Sequence, residues 1–590
     1  MKNRSLLIIG GVIFSSLLAS CKGNIDTDVV EFESKEVGLY FIDDVDETSP
    51  ALSTKKLNDF AVHYVKGQEL LPYITFQEYV SLYDGLLKEG YSSIVNTTRS
   101  GYQRGVKKEN TYYFIVSLDL YHKSFEVSGS LRNCLTDSVD YSKTGLNYQV
   151  EFGAYTIYDT SNRSSHYYYG EYNFNTYQFE GKYYLPLGLF DVCLGSDTSH
   201  NVFYNYEHLF LTSSYSSIVK TNYYDNGTTN IFDQMKNVVE TQYNFKMPLY
   251  LRKYNESSIY CMFDNFYGLG RVRGINKMSD YIRSFSWSKN LLSENNEVRS
   301  ETISKVFNFL DDDHTGLATI ATPWNETVVS PRGASSADRR TLRTSLRDQR
   351  EIVRTDLNLG KYEVQYSESG KTANILFDSF VFAPEEEFYE VDGVTVKPNA
   401  YKSDSFVYIY NSLREIFDEH PSVKNIVLDL STNGGGVVGT MAKILSLISP
   451  DNAASFAFRD TNVGYLQNFK AYVDTNGDEI TDENDVFGGK GKDFYILTSP
   501  CSFSCANAFP FIAKAYDYAK IIGAKSGGGQ CTVGTCLLPN GQFAQYSSNL
   551  QIGYEDLEKG FIGDEGGAEV DISLNYSDFY DIEKIEQIIA

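Results

Sequence analysis

A serine with the surroundings of a nucleophile stands in the stretch Thr498-Ser-Pro-Cys-Ser-Phe-Ser-Cys-Ala-Asn507. It follows an apolar run at 494–497, typical of a buried strand, and precedes residues 506–519, whose apolar residues recur at helical spacing. A hydroxyl group at such a turn lies beside the unpaired N–H groups of the helix, which favour the oxyanion formed when serine attacks a carbonyl. Ser504 is therefore the candidate nucleophile, and the alternative is that it only caps the helix.

Two glycine turns complete the pattern around this serine. Asn425-Ile-Val-Leu-Asp-Leu-Ser-Thr-Asn-Gly-Gly-Gly436 is a predicted strand that ends in three glycines and leads into an apolar helix. Ile521-Ile-Gly-Ala-Lys-Ser-Gly-Gly-Gly529 is another strand that runs into a glycine turn. Glycine lets backbone N–H groups approach a ligand closely. The candidate oxyanion donors are therefore the N–H of Cys505 and that of Gly435 or Gly436.

This order of strand, three glycines and helix, then strand, serine and helix, then strand and three glycines resembles the tricorn-type and C-terminal-processing serine peptidases. The resemblance covers roughly residues 296–590. It implies an α/β catalytic domain of crotonase-like ββα fold, which would follow a β-rich α+β N-terminal region. It also implies hydrolysis of a polypeptide substrate.

The two branches of this family use different general bases. The C-terminal-processing branch has a lysine in the last glycine turn, where this sequence has Gly529, and Lys525 lies four residues earlier. The tricorn branch has a histidine from a segment before the sheet, and Leu310-Asp-Asp-Asp-His-Thr-Gly316 resembles that segment. A histidine suits the role because its ordinary pKa lies near neutrality. We therefore predict His314 as the base; the alternative is a helix-end histidine bonded to adjacent carboxylates.

The tricorn branch also uses a carboxylate just before a segment of the form Gly-Val-x-Pro-Asp. Gly567-Ala-Glu-Val-Asp571 resembles that segment, with Val570 in place of the proline. The resemblance therefore implies Asp564 or Glu565 as the supporting carboxylate. The family's serine directly before its histidine is replaced here by Asp313.

The N-terminus predicts export. Lys2 and Arg4 precede an apolar stretch at 6–18, which has the length of a signal peptide and is too short for a stable membrane span. It ends in Leu18-Ala-Ser-Cys21, which resembles a bacterial lipobox and implies lipidation of Cys21; a plain secretory signal is the alternative. We therefore expect an exported bacterial protein, lipid-anchored at the cell membrane or cell surface.

Length, composition and charge limit the other possibilities. The chain has 590 residues, too many for one core, and its 42% hydrophobic and 22% charged content is that of a globular protein. A net charge of −25 argues against nucleic acid as a partner, and 47 tyrosines with 37 phenylalanines favour β-rich structure. The predicted boundaries are a signal peptide at 1–20, a tether at 21–35, a β-rich region at 36–245, a helical segment carrying His314 at 246–330, a polar linker or helix at 331–360 and the catalytic domain at 361–590.

An acidic loop lies between the first glycine turn and Ser504. Side-chain oxygens alternate along it as in a calcium loop, at Asp474, Asn476, Asp478, Asp482 and Asp485. The glycine expected after the third ligand is absent, so structural calcium and an ordinary acidic turn remain alternatives. The predicted chemistry requires no cofactor.

Two further groups of residues surround the candidate site in sequence. Cys501 and Cys505 precede Cys531 and Cys536, and in an exported protein we predict at least one disulfide between these pairs, with a zinc site as the alternative. Upstream, an arginine-rich stretch with interleaved acidic residues favours a solvated helix face over an anion or substrate clamp. Its arginines are Arg339, Arg343, Arg347, Arg350 and Arg354.

Two other functions remain open. One is a non-catalytic surface lipoprotein that keeps the fold to bind peptide, and the glycine in place of the family's lysine is its best argument. The other is a glycan-binding or adhesin lipoprotein whose aromatic runs, Tyr112-Tyr-Phe114 and Tyr167-Tyr-Tyr169, stack on sugars. Alternating tyrosines also cover ordinary sheets, so these runs do not decide the matter.

Overall fold

The computed structural model describes residues 30–42, 54–97, 101–129, 131, 134–136, 149–158, 164–195, 200–212, 222–223, 229–317, 322–326, 334–383, 390, 397, 402–462 and 466–590. Cys21 and the predicted signal peptide lie outside these residues. The chain divides into two compact units. The first comprises Met1–Ser138, Asn162–Gly333 and Val533–Ser548, and the second comprises Val139–Ser161, Ala334–Thr532 and Asn549–Ala590.

The strands run through both units. In chain order they are β1 (Phe32–Ile42), β2 (Thr54–Val65), β3 (Tyr73–Thr75), β4 (Tyr91–Thr97), β5 (Gly101–Lys108), β6 (Thr111–Asp119), β7 (Ser124–Gly129), β8 (Gln149–Tyr158), β9 (Ser164–Tyr168), β10 (Tyr177–Phe179), β11 (Lys182–Pro186), β12 (Asn201–Tyr204), β13 (Leu209–Thr212), β14 (Asn222–Tyr223), β15 (Thr229–Asn230), β16 (Gly316–Leu317), β17 (Gln365–Tyr366), β18 (Thr372–Leu376), β19 (Asn425–Asp429), β20 (Ala454–Asp460), β21 (Leu466–Asp474), β22 (Asp493–Thr498), β23 (Lys520–Gly523), β24 (Cys531–Leu537), β25 (Phe543–Asp556), β26 (Gly560–Gly563) and β27 (Ile572–Ser573).

The helices are concentrated in the middle and at the C-terminal end. They are α1 (Leu187–Phe190), α2 (Ile231–Tyr243), α3 (Leu249–Phe266), α4 (Met278–Ser284), α5 (Trp287–Leu291), α6 (Asn296–Phe309), α7 (Ala334–Asp356), α8 (Ser405–Glu419), α9 (Val438–Ile448), α10 (Cys505–Ala515) and α11 (Ile582–Ile589). Among the described residues, no helix combines the length and the apolar character needed to cross a bilayer.

The first unit carries the β-rich region. Its strands form a seven-stranded sheet in the order β10-β11-β3-β2-β1-β13-β12 and a five-stranded sheet in the order β4-β5-β6-β7-β9. Apolar and polar residues alternate along β6, so that Phe114, Val116 and Leu118 are buried while their neighbours are at least partly exposed. In the two aromatic runs, Phe114 and Tyr169 are buried, whereas Tyr112, Tyr113 and Tyr168 are exposed, so these runs do not decide between covering a sheet and stacking on sugars.

The second unit is a three-layer α/β structure. Its central sheet has the order β17-β18-β19-β22-β23-β27, and the pairs from β18 to β27 are all parallel. Ile426 and Leu428 pack into one core with α8, α9 and α10, whereas Val427 packs into another with α7 and α11. Both faces are covered, which explains why these strands are almost continuously apolar. The predicted α/β class with a β-rich N-terminal region is confirmed.

Parallel pairing brings the carboxyl ends of β19, β22 and β23 to one edge of the sheet, followed by the 434–436 turn, Ser504 and the 527–529 turn. The helix after Ser504 ends at Ala515, earlier than the sequence pattern predicted. Asp517 has a φ of 57° and therefore breaks the helical repeat, and Tyr518 N–H bonds back to the carbonyl of Ala513.

Candidate active site

Ser504 lies at the turn between β22 and α10 in a strained conformation. Its φ of 59° and ψ of −124° are rarely adopted by a residue with a side chain. Such strain persists only where the surroundings enforce it, and it is concentrated at functional sites. Here Ser504 N–H donates to the carbonyl of Gly528 at 2.9 Å, and the Ser504 side chain makes no capping hydrogen bond to the helix. The helix-cap alternative therefore does not describe this residue.

The first glycine turn lies directly against the serine. A Cβ placed on Gly435 would be 2.7 Å from Ser504 Cβ and 3.1 Å from the backbone nitrogen of Cys505. Gly435 and Gly436 have φ of 104° and 143°, which residues with side chains seldom adopt. Only glycine therefore allows the turn to approach the serine this closely.

Hydrogen bonds around the turn distinguish the two candidate glycines. The N–H of Gly435 donates to Asn433 Oδ1 at 2.8 Å and is already used. The carbonyl of Gly435 accepts from Phe380 N at 2.9 Å and from Ser379 Oγ at 3.0 Å. In a trans peptide the N–H points away from the carbonyl, so these two donors orient the N–H of Gly436. Within the described residues that N–H makes no hydrogen bond, and Gly436 is exposed.

Cys505 contributes its backbone rather than its thiol. Its Sγ donates to the carbonyl of Gly436 at 3.1 Å. Complete burial raises the pKa of this thiol to about 12, so it stays protonated at neutral pH and is not a rival nucleophile. The thiol therefore fastens the glycine turn to the start of α10.

The predicted disulfide is wrong. Cys501 Sγ lies 3.4 Å from the carbonyl of Arg339, and the Cys505 thiol contacts Gly436, so neither sulfur is bonded to another cysteine. In the described part of the chain, moreover, no group of three or more His, Cys, Asp or Glu side chains is arranged to hold a metal ion, which also removes the zinc alternative there. The prediction relied on the compartment, whereas these two cysteines fill buried positions in two different cores.

The family's lysine position cannot hold a lysine here. Gly529 has a φ of 87°, and a Cβ on it would lie 2.6 Å from the ring of Phe503. Lys525, the nearest lysine in sequence, is exposed and forms an ion pair with Glu569 at 2.6 Å. Its hydrogen bond to Glu569 raises the pKa of Lys525, which makes this ammonium group a poor general base.

His314 belongs to the first unit. It follows α6, in which Ile303, Val306 and Phe307 are buried and anchor the helix. His314 is buried, its backbone N–H donates to Asp312 Oδ1 at 3.0 Å, and its carbonyl accepts from Gln545 Nε2 at 3.1 Å. The segment that carries the predicted base is therefore held firmly within its own unit.

The two candidate carboxylates lie beside the second glycine turn. Glu565 Oε2 accepts from the backbone N–H of Gln530 at 3.0 Å, and a Cβ on Gly528 would lie 2.0 Å from the carbonyl oxygen of Glu565. Burial raises the pKa of Asp564, although this side chain is not fully enclosed. Both residues are thus close to Gly528, the residue that holds Ser504 N–H.

Asn507 and Ser526 are buried polar residues that were not predicted from the sequence, and they bind the C-terminal segment to α10. Asn507 Oδ1 accepts from Ser526 Oγ at 2.6 Å and from the N–H of Ala568 at 3.2 Å. Asn507 Nδ2 donates to the carbonyl of Asp564 at 2.9 Å. An amide side chain one turn into an apolar helix, three residues after the nucleophile, was the available signal.

The arginine-rich helix is not a solvated face, which corrects the sequence prediction. Spacings of four and seven residues direct most of the arginines of α7 to the side that packs on the rest of the second unit, to which α7 belongs. Arg350 and Arg354 are buried, Arg339 and Arg343 are half-buried, and Arg347 is exposed. Arg350 makes two hydrogen bonds to the Asp378 carboxylate, at 2.8 and 3.0 Å, and a third to Thr432, which precedes the glycine turn.

Replacing Arg350 with methionine should lower the free energy of unfolding by about 3–5 kcal/mol, because it leaves the Asp378 carboxylate largely buried without its partner. The Arg350→Met, Asp378→Asn double variant should recover part of that loss. Thermal unfolding of the full chain measures this effect, and Arg340→Met, an exposed change on the same helix, is the control. Equal melting temperatures for the two single variants would contradict the prediction.

The same pair predicts a dependence on acid. Burial acts to raise the pKa of Asp378, but the hydrogen bonds and charge of Arg350 outweigh it and leave the pKa lowered. A lowered folded pKa contributes stability above the unfolded value, about 4, that is lost as the pH falls through the folded value. The difference in stability between the parent and the double variant should therefore shrink below about pH 4.

The acidic loop forms a series of turns. Asp474 accepts from the N–H groups of Gly477 and Glu479, and Asp485 accepts from those of Thr475 and Asp482. These hydrogen bonds are those of Asx turns, and each carboxylate oxygen keeps further lone pairs, so an acidic turn and structural calcium remain alternatives.

If the loop is an ordinary acidic turn, millimolar calcium should leave the melting temperature of the protein unchanged. A ligand that binds only the folded state would raise it by mass action. Thermal unfolding with calcium, and with magnesium at equal concentration, measures this. A calcium-specific rise that is lost when Asp474 and Asp478 are both changed to alanine would instead support the calcium alternative.

The second unit therefore has the arrangement of a serine-hydrolase site on an α/β scaffold: a strained serine, a glycine turn against it and backbone donors beside it. The model of Peptidase family S41 matches residues 400–554. The resemblance seen in the sequence is thus confirmed over that segment, which is similar to a serine-peptidase family. No curated protein sequence matches the chain.

Solved structures give weaker likenesses. A candidate peptidase from Parabacteroides merdae is 15% identical, with a TM-score of 0.40, over 57% of this chain and 97% of that one. A lipoprotein from Streptococcus agalactiae is 14% identical, with a TM-score of 0.34, over 58% and 97%. The tricorn protease is 10% identical, with a TM-score of 0.31, over 95% of this chain and 59% of that one. At such scores these likenesses carry no argument about function.

Proposed function

We propose that the chain is a membrane-anchored serine endopeptidase that hydrolyses peptide bonds by a Ser–His mechanism. One observation carries the proposal: Ser504 is held in a strained strand-to-helix turn with its side chain uncommitted to the helix and the 434–436 turn against it. A serine in that position presents its hydroxyl group where backbone N–H groups can stabilise an oxyanion.

In this mechanism, Ser504 Oγ attacks the carbonyl carbon of the substrate while His314 accepts the hydroxyl proton. The carbonyl oxygen becomes an oxyanion, and we assign the N–H groups of Cys505 and Gly436 as its donors. Collapse of the tetrahedral intermediate breaks the C–N bond, and the proton on His314 passes to the leaving amine. Water then releases the acyl group by the same steps, and Asp564 or Glu565 supports the base.

Gly436 is preferred to Gly435 as the donor because Asn433 already occupies the N–H of Gly435. Histidine is preferred to lysine as the base because Lys525 is exposed and paired with Glu569, with a raised pKa. The non-catalytic alternative, whose argument was the missing lysine, therefore depends on whether His314 serves as the base. A chain that uses a histidine does not need one at Gly529.

Labelling with a fluorophosphonate probe tests the nucleophile. The parent should be labelled and the Ser504→Ala variant should not, while Ser502→Ala serves as a matched serine control. Ser502 is buried, and its Oγ donates to the carbonyl of Leu430 at 2.7 Å. Absence of labelling in the parent, together with no hydrolysis of an unfolded protein such as reduced casein, would favour the non-catalytic alternative.

The lipid anchor at Cys21 is also part of the proposal, and it is motivated by the lipobox after a signal-length apolar run. In detergent phase separation, the parent expressed in a bacterium should partition into the detergent phase and the Cys21→Ser variant into the aqueous phase. A variant that still partitions with detergent would refute the anchor without affecting the proposed peptidase chemistry.

A further inference from the structure

Two arginines of α7 contact the loops on either side of the candidate nucleophile. Arg343 Nη2 donates to the carbonyl of Cys501 at 3.2 Å, and Arg339 Nη1 donates to the carbonyl of Gly527 at 3.0 Å. The Arg339 guanidinium also lies over the ring of Phe503, 5.1 Å from its centroid. Both guanidinium groups are therefore placed at the edge of the candidate active site.

Arg343 lies close to the reacting position. Its Nη2 atom is 3.4 Å from the place where a Cβ on Gly434 would lie, and the next residue, Gly435, abuts Ser504. Because consecutive Cα atoms are about 3.8 Å apart, this path places the guanidinium within about 13 Å of Ser504 Cβ. An extended substrate covers that distance in about four residues or fewer.

The charge of Arg343 is not balanced locally. A guanidinium group is charged at any physiological pH and offers five donors in a planar fork. In the part of the chain that the structure describes, no carboxylate lies within salt-bridge distance of Arg343, in contrast to Arg350 with its partner Asp378. Arg343 is half-buried, so an arriving carboxylate would meet a partly desolvated cation with unused donors.

We propose that Arg343, with Arg339 beside it, forms a carboxylate-binding subsite of the substrate cleft. The subsite takes a carboxylate that lies within about four residues of the bond to be cleaved. The inference rests on the proposed function and names a substrate class for it. The carboxylate is either an acidic side chain or the C-terminal carboxylate of the substrate, and both present the same two oxygens to the fork.

Four fluorescein-labelled decapeptide libraries separate these sources. Two of the libraries include Glu and Asp at their randomised internal positions, and the other two include Gln and Asn instead. Within each pair, one library has a free C-terminus and the other an amidated C-terminus. Cleavage by the parent is compared with cleavage by Arg343→Gln, Arg343→Lys and Arg340→Gln. The last is the control, because Arg340 is exposed on the same helix.

The readout is the ratio of kcat/KM for acidic over neutral libraries, which general damage to the loop would not change. For an acidic side chain the ratio compares the Glu/Asp with the Gln/Asn libraries, and for the C-terminal carboxylate it compares the free with the amidated libraries. We expect a ratio of about ten or more in the parent for one of these two comparisons, and a ratio near one in Arg343→Gln. Arg343→Lys should keep part of the preference, and Arg340→Gln all of it. A parent without preference, or a preference that survives Arg343→Gln, would overturn the subsite.

Binding to the Ser504→Ala chain separates failure of the subsite from failure of the peptidase proposal. Fluorescence anisotropy with the same libraries should show tighter binding of the carboxylate-bearing set, and adding Arg343→Gln should abolish the difference. If the parent cleaves nothing, the proposed function fails, and this binding preference alone decides the subsite. Equal binding of all four libraries would remove it.

Discussion

Changing either Ser504 or His314 to alanine should lower kcat by several orders of magnitude. The two residues act as one unit in the proposed mechanism, so the double variant should be about as slow as either single variant. Lys525→Ala should change kcat little, because this lysine is exposed and paired with Glu569. The measurement is kcat and KM for each variant on an unfolded protein substrate.

The pH profile distinguishes the bases further. With a histidine base, kcat/KM should rise through about pH 6 to 7 as the imidazole loses its proton. The raised pKa of Lys525 would place a lysine-dependent rise above the ordinary lysine range, at strongly alkaline pH. Loss of activity in Lys525→Ala with retention in His314→Ala would replace the Ser–His mechanism by Ser–Lys.

Gly435→Ala should reduce kcat by at least about a hundredfold, since the added Cβ meets Ser504 Cβ at 2.7 Å and must displace the serine or the oxyanion donors. The matched control is Gly491→Ala in the same unit, with a φ of 79° and no atom within 4 Å of the added Cβ. The control has similar backbone strain without the collision, and it should lose stability, by about 1 kcal/mol, but not activity.

The comparison of these two variants is informative in both directions. Retained activity in Gly435→Ala would mean that the close approach of the turn to Ser504 is not needed for catalysis. Circular dichroism and thermal unfolding of both variants would exclude loss of the fold as the cause of inactivity. A fluorophosphonate probe applied to Gly435→Ala would then report whether the serine itself is still reactive.

The elements around the site could be read from sequence because each one is specified locally. Strands β19, β22 and β23 are buried on both faces and therefore appear as short apolar runs, and glycine or serine marks each point where the chain leaves the sheet. Ser504 could be identified from sequence because it lies where a short apolar strand ends and an apolar helix begins. The choice between Gly435 and Gly436 as oxyanion donor could not be predicted from sequence, because it depends on the Asn433 side chain, which accepts the hydrogen bond of the Gly435 N–H.

The arginines and cysteines were misjudged for a different reason. Alternating charges along a helix look the same whether the helix is solvated or packed. The burial of α7 depends on carbonyl groups that are far away in sequence, such as those of Cys501 and Gly527. Cysteine pairing likewise depends on the backbone directions around each sulfur, which spacing along the chain does not contain.

Sequence separation within the candidate site has a consequence during biosynthesis. The site is assembled from residues near 380, 435, 504 and 528, and Asn507 ties it to the backbone of Asp564 and Ala568, about 60 residues further along the chain. Contacts this distant form late, after most of the polypeptide has left the ribosome. A nascent chain therefore carries Ser504 and Asn507 for some time before the segment with Asp564 and Ala568, which bonds to Asn507, has been synthesised.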